Sequence, residues 1–180
     1  MEVNIKQALK MFFSKSSFEM IYFEAFANAL DANATEFNIN ISLSNYGELH
    51  NLIVILSDNG VGFNDVRFGK FSKLFDVEEQ SHKGLGRLVY LCYFDKVEVK
   101  SVFDNSKQRV FEFNEAFDKD CPITEIEPTL NGSIFRMSGF TGERLGKNDY
   151  INPHYIKKAL LENFYMKFYK AKLAGKQISV

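Results

Sequence analysis

From residue 16 the apolar positions recur at helical spacing. The segment 16–32, SSFEMIYFEAFANALDA, predicts a helix, with Ser16 and Glu19 at the separation of a capping box and Asn33 as a left-handed stop. The period then changes to two. Phe37, Ile39, Ile41 and Leu43 alternate with Asn38, Asn40, Ser42 and Ser44, the signature of a strand over 36–44 with one buried face. A turn at Asn45–Glu48 leads into the continuous apolar run 51–57, NLIVILS, which suits a central strand. The pattern breaks at Asp58-Asn59-Gly60-Val61-Gly62, and a polar, poorly periodic stretch follows to about residue 83, with a short helix expected around 64–74. A helix over 85–94 enters from a glycine turn, and strands are predicted at 96–103, 108–114, 121–127 and 133–138. Asn152-Pro153 forms an N-cap and N1 pair opening a helix to about Leu173, and Gly175 ends it. Residues 176–180 begin a strand with no visible partner, as expected of a domain cut from a longer chain. This order predicts an α+β two-layer sandwich, with helices covering one face of a mixed, mainly antiparallel sheet.

Composition narrows the class without touching the chemistry. The 180 residues are 46% hydrophobic and 25% charged, which fits a single domain over 1–180 and excludes a disordered chain. With 19 Phe, 8 Tyr and no Trp, the core should be built largely on phenylalanine. A net charge of −1 argues against a domain-wide basic field for nucleic acid. Cys92 and Cys121 are too few and too far apart for a disulfide framework or a zinc site. No apolar run approaches a membrane span, and the N-terminus lacks the features of a signal peptide, so a cytoplasmic protein with no membrane partner is expected.

Chemistry first enters in the 16–32 helix. At about 100° per residue, Glu24, Asn28 and Asp31 fall within an arc of roughly 60°, while most of the remaining circumference is apolar. A narrow stripe of two carboxylates and an amide, with no cation in it, is costly to bury and should face a polar cavity or a ligand. A thin solvent-facing edge is the simpler alternative. Two glycine turns follow. In Asp58-Asn59-Gly60-Val61-Gly62-Phe63 the carboxylate stands at a strand end where it can accept from an exocyclic amine, and the glycines permit close backbone approach to a planar ring. In Lys83-Gly84-Leu85-Gly86-Arg87, glycines at a helix entry expose N–H groups to an anion, and Lys83 and Arg87 add charge. Each turn alone is also ordinary turn chemistry. Neither supplies a third glycine for G-x-G-x-x-G, and residues 142–148 miss the P-loop spacing.

Taken together, Glu24-x-x-x-Asn28-x-x-Asp31-Ala32, then Asp58-x-Gly60-x-Gly62, then Gly84-x-Gly86 resembles the GHKL ATPases: gyrase B, ninety-kilodalton heat-shock chaperones, histidine kinases and MutL. The likeness covers most of residues 16–140, and 24–41 is especially similar to the MutL-type first motif. The resemblance implies a Bergerat-type ATP-binding sandwich and a set of roles. Glu24 would activate water for attack on the γ-phosphate, and Asn28 would supply an oxygen to Mg²⁺. Asp58 would accept the adenine amino group, with Gly60 and Gly62 admitting the base and Phe63 lining it. Lys83, Gly84, Leu85 and Gly86 would hold the phosphates. Gly132-Ser133-Ile134 matches the family's late Gly-Thr element, so Ser133 would complete the adenine end. Asp31 would support the site by pairing with a basic residue, and residues 64–83 would be the ATP lid.

Glu24 favours the hydrolytic MutL and heat-shock branch, since histidine kinases usually carry Asn there. None of His50, His82 and His154 lies in a phosphoacceptor helix, though His82 adjoins the phosphate turn. In the hydrolytic relatives a catalytic lysine comes from a following domain, so this chain is expected to bind ATP or ADP with Mg²⁺ and to hydrolyse weakly by itself. Nucleotide-dependent homodimerisation of the full-length protein is the implied partner behaviour. A histidine-kinase-like phosphotransferase and a non-hydrolysing nucleotide-gated interaction module are the alternatives.

Overall fold

The structure, a computed structural model, describes residues 16–45, 47–72, 86–114, 117, 121–142 and 145–180. Helix α1 (Met20–Asp31) is followed by β1 (Phe37–Ser42), β2 (Ile53–Asp58), α2 (Asp65–Ser72) and the short α3 (Val89–Tyr93). Strands β3 (Phe94–Phe103), β4 (Lys107–Phe113), β5 (Thr124–Glu125) and β6 (Gly132–Phe140) precede α4 (Pro153–Asn163) and α5 (Tyr165–Leu173). The six strands form one open sheet in the order β1-β2-β6-β3-β4-β5, and every pairing within it is antiparallel. The protein is therefore the expected α+β sandwich. Its one parallel contact among the described residues is an isolated bridge between Glu36 and Ser179.

The strand periods explain why one face is covered. Val54 and Leu56 of β2, Val97 and Val99 of β3, Phe113 of β4, and Phe135 and Met137 of β6 are buried on a single face. The alternate residues Lys96, Glu98 and Lys100 lie on the other, where Glu98 pairs with Lys96 and Arg136. Helix α1 supplies Ile21, Tyr22, Ala25, Phe26 and Ala29 to the same core. The phenylalanine expectation holds: Phe26 packs edge-on against Phe37 and Phe164 at 5.3 and 4.9 Å, and stacks with Phe168 at 5.4 Å. A second aromatic group, Phe63, Phe68, Phe71 and Phe111, anchors α2 to β4.

Several boundaries differ for physical reasons. Glu19 stands at the N-cap of α1 and makes no side-chain capping bond; the helix begins at Met20, and Glu19 instead accepts from the Ser17 hydroxyl and from the Tyr155 hydroxyl at 2.8 Å. Asn33 does adopt the left-handed stop, at φ 60°. The 153–173 helix breaks at Phe164, whose ring turns into the core between Phe23 and Phe26. Asn152 caps it as expected, its side-chain oxygen accepting from the His154 and Tyr155 N–H groups. Only Thr124–Glu125 of the predicted 121–127 strand pairs. The terminal segment has a partner after all, because Ser179 exchanges backbone hydrogen bonds with Thr35 and Phe37 beside β1. Among the described residues, no helix is long and apolar enough to cross a membrane.

Candidate functional site

The register of the sheet draws polar residues into one row on its covered face. Phe37 pairs with Asp58, Asp58 with Ser133, Ser133 with Ser101, and Ser101 with Arg109, so the row crosses five strands. Ser101 is the hub. Its hydroxyl lies 3.0 Å from that of Ser133, donates to the Gly132 carbonyl, and accepts the Phe63 N–H at 2.9 Å. Buried Arg109 donates to the Phe63 carbonyl and to Asp65, with its guanidinium against the rings of Phe68 and Phe103. These bonds tie the 58–63 turn and the start of α2 to the sheet.

Above this row, between α1, α2 and the sheet, lies a cleft of about 870 Å³. Its walls bring together Asn28, Asp58, Gly62, Phe63 and Ser133, along with Asp31. Glu24 is not among the residues lining this cleft; it is linked to it by Asn28, which donates from Nδ2 to Glu24 Oε1 at 3.0 Å. Gly86 closes on Glu24 so tightly that a Cβ there would overlap the carboxylate. Lys83, Gly84 and Leu85, together with His82 and the lid portion 73–83, lie outside the described residues. Neither His50 nor His154 lines the cleft.

The two key carboxylates are strained electrostatically. Burial pushes Glu24 above the ordinary carboxylate range; the Asn28 hydrogen bond and the Arg87 charge oppose this, and Asp31 adds to it. Burial likewise raises Asp58, against the Gly60 N–H at 2.8 Å and the Arg67 charge. Arg87 is 6% exposed, and its guanidinium sits 4.7 Å from the centre of the Phe71 ring. Burial lowers it to about 10, so it remains a cation at neutral pH.

The glycines answer to contacts within the protein. A Cβ on Gly60 would come within 2.6 Å of the Ala32 Cβ, and Gly62 at φ 71° presses on the Val102 carbonyl. Asp31 does gain a basic neighbour, but Arg67 donates to the Asp31 backbone carbonyl at 2.8 Å and to that of Asn28. Arg67 thereby covers the carbonyl end of α1, where a cation is favoured. The sequence reading missed Ser101, Arg109, Arg67 and Tyr90. Only strand register reveals the first two, and only the fold-back of α2 and α3 onto α1 brings the others to the cleft.

No group of three or more His, Cys, Asp or Glu among the described residues could hold a metal ion. Asn28 commits its amide nitrogen to Glu24, which leaves the carbonyl oxygen as the end able to ligate. A single oxygen suits Mg²⁺, which keeps waters and phosphate oxygens as its other ligands. The residues therefore fit a cation brought in with a phosphorylated ligand and do not form a protein-only cage.

No family model matches the chain, and no curated protein matches it. Among solved structures it is similar to the N-terminal domain of a DNA repair protein, at 18% identity and a TM-score of 0.50. The match covers 94% of this chain and 46% of that one, so the chain spans about half the length of this neighbour. At that identity the likeness is one of fold.

Proposed function

We propose that this domain binds ATP with Mg²⁺ in the cleft between α1 and the sheet, and that ATP hydrolysis by the full-length or dimeric protein drives a conformational change. The observation that carries the reading is the convergence of Asn28, Asp58, Phe63 and Ser133 on one cleft, with Glu24 hydrogen-bonded to Asn28. These residues come from α1, β2, the following turn and β6, and nothing but the fold requires them to meet.

The chemistry of each group suits its part. The Gly60 N–H fixes one Asp58 oxygen and so orients the carboxylate as an acceptor for the adenine amino group. Ser133, beside Asp58 in register, adds a hydroxyl at the same end. Phe63 supplies an apolar side for the ring. At the opposite end, the Asn28 carbonyl oxygen would hold Mg²⁺, which would neutralise phosphate charge. Glu24, raised by burial, is a stronger base than a free carboxylate yet is kept in place by Asn28, as a water-activating group requires. The resemblance of the motifs to the GHKL ATPases agrees with each assignment.

Calorimetric titration of the domain with a non-hydrolysable ATP analogue, with and without Mg²⁺, tests the reading. Magnesium-dependent binding that is lost in Asp58→Ala is expected. A folded wild-type domain that takes up no nucleotide would refute it.

A further inference from the structure

Ser101 is fully buried and does not line the cleft, yet it touches two residues that do, Phe63 and Ser133. It lies on β3 opposite Ser133 of β6, and Ser133 lies opposite Asp58 of β2, so the three side chains are neighbours on the covered face. Its hydroxyl meets the Phe63 N–H at 2.9 Å, the Gly132 carbonyl at 3.0 Å and the Ser133 hydroxyl at 3.0 Å.

Counting protons gives each of these bonds a direction. A hydroxyl has one proton to give and two lone pairs. The Gly132 carbonyl can only accept, so it takes the Ser101 proton, and the Phe63 N–H can only donate, so it takes one lone pair. The other lone pair faces Ser133, whose hydroxyl must supply the proton. Were Ser101 to donate to Ser133 instead, its oxygen and the Gly132 carbonyl would face each other at 3.0 Å with no proton between them. At a buried site that loss is costly. Ser133 therefore gives its proton to Ser101 and keeps lone pairs for the cleft. Beside it, Asp58 is held on one oxygen by the Gly60 N–H, and as a carboxylate it only accepts. Two acceptors thus stand side by side, which suits a ring edge carrying N–H groups and opposes a ring carbonyl.

We propose that Ser101 is a positioning residue for base selection: by taking the Ser133 proton it makes Ser133 an acceptor, so the cleft favours a purine with an amine over one with a carbonyl in its place. This rests on the nucleotide reading above and adds a residue that touches no ligand. Removing the Ser101 hydroxyl frees the Ser133 proton to turn towards the ligand and meet a carbonyl. Because Ser101 also holds the Phe63 backbone, its loss disturbs that side of the cleft for either base alike. Only the ratio between two bases reports on Ser133.

The test is calorimetric titration of the whole chain with ADP and with IDP, both with Mg²⁺, whose purines carry an amine and a carbonyl at the same ring position. Wild type should prefer ADP, and Ser101→Ala should shrink that preference about tenfold, the effect of one buried hydrogen bond made for the carbonyl. Ser101→Thr keeps the hydroxyl and should keep the preference. In a Ser133→Ala background, Ser101→Ala should not move the ratio further, because its effect passes through Ser133. Ser101→Cys fills a similar space with a weaker donor and acceptor, and its lowered ratio decides the matter if the alanine variant does not fold. A wild type without preference for ADP would overturn the proposal while leaving nucleotide binding intact. So would a ratio unchanged in the Ser101 variants, or one lowered equally with and without Ser133. A folded wild type that binds neither nucleotide would overturn the reading of the whole cleft, and this proposal with it.

Discussion

Gly62 and Gly86 should respond differently to the same added methyl group. At Gly62 the backbone is left-handed, φ 71°, and the new Cβ would lie against the Val102 carbonyl and 3.0 Å from Ser101 Oγ. The left-handed conformation costs an alanine about 1–2 kcal/mol. Forcing a methyl onto β-sheet backbone adds about 1–3 kcal/mol, because the strand cannot yield without disturbing its ladder. Gly62→Ala should therefore lose about 2–5 kcal/mol of stability. At Gly86 the obstacle is the far end of the Glu24 side chain, which can rotate away. Alanine there gains about 0.4–1 kcal/mol by restricting the unfolded chain, offset by about 0.5–1.5 kcal/mol for an off-rotamer Glu24. Gly86→Ala should be close to neutral in a urea melt.

Its cost should fall on turnover instead. A displacement of about 1 Å at a reacting group can cost on the order of a hundredfold in rate. Hydrolysis by the full-length protein should drop by about that factor in Gly86→Ala while nucleotide affinity changes little. Urea denaturation of both variants and a phosphate-release assay of the second give the comparison. If Gly86→Ala unfolds as readily as Gly62→Ala, or turns over at the wild-type rate, Glu24 is not held by this contact as described.

Asp58→Asn should separate stability from binding. Burial raises the folded-state pKa of Asp58, so ionisation destabilises the folded form progressively as pH rises through that value. The asparagine variant should be more stable than wild type at neutral pH, converge with it in acid below the ordinary carboxylate pKa, and bind nucleotide more weakly throughout; denaturant midpoints across pH, with calorimetry, measure all three. Phe26→Ala removes a fully buried ring that touches Phe37, Phe164 and Phe168, and should cost about 3–5 kcal/mol by chemical denaturation. Its loss should also loosen α5, seen as faster amide exchange over Tyr165–Leu173, because Phe164 and Phe168 anchor that helix to α1.

Periodicity made most of the fold legible. The switch from helical spacing in 20–31 to alternation in 37–43 marked α1 and β1, and the apolar run after Leu52 marked β2, the strand that carries Asp58 into the polar row. Failures came where a distant partner outweighs local preference. Glu19 has the position for a capping box, yet Tyr155, from a helix more than a hundred residues away, takes its carboxylate. Phe164 sits within a continuous helical pattern, but its ring finds a place against Phe26, and the helix breaks to let it in.

The candidate site divides along the same line. Residue spacing along the chain set which chemistry was on offer: a narrow stripe of Glu24, Asn28 and Asp31, a carboxylate ending an apolar strand, and glycines where side chains have no room. Such features are local, set by spacing along one helix or one turn. Tertiary structure decided how those groups are supported and charged. Antiparallel register placed Ser101 and Arg109 in line with Asp58 and Ser133, and folding of α3 against α1 set Arg87 and Tyr90 beside Glu24. Register and helix packing depend on partners distant in the chain, and burial, which raises Glu24 and Asp58, exists only once those partners have met.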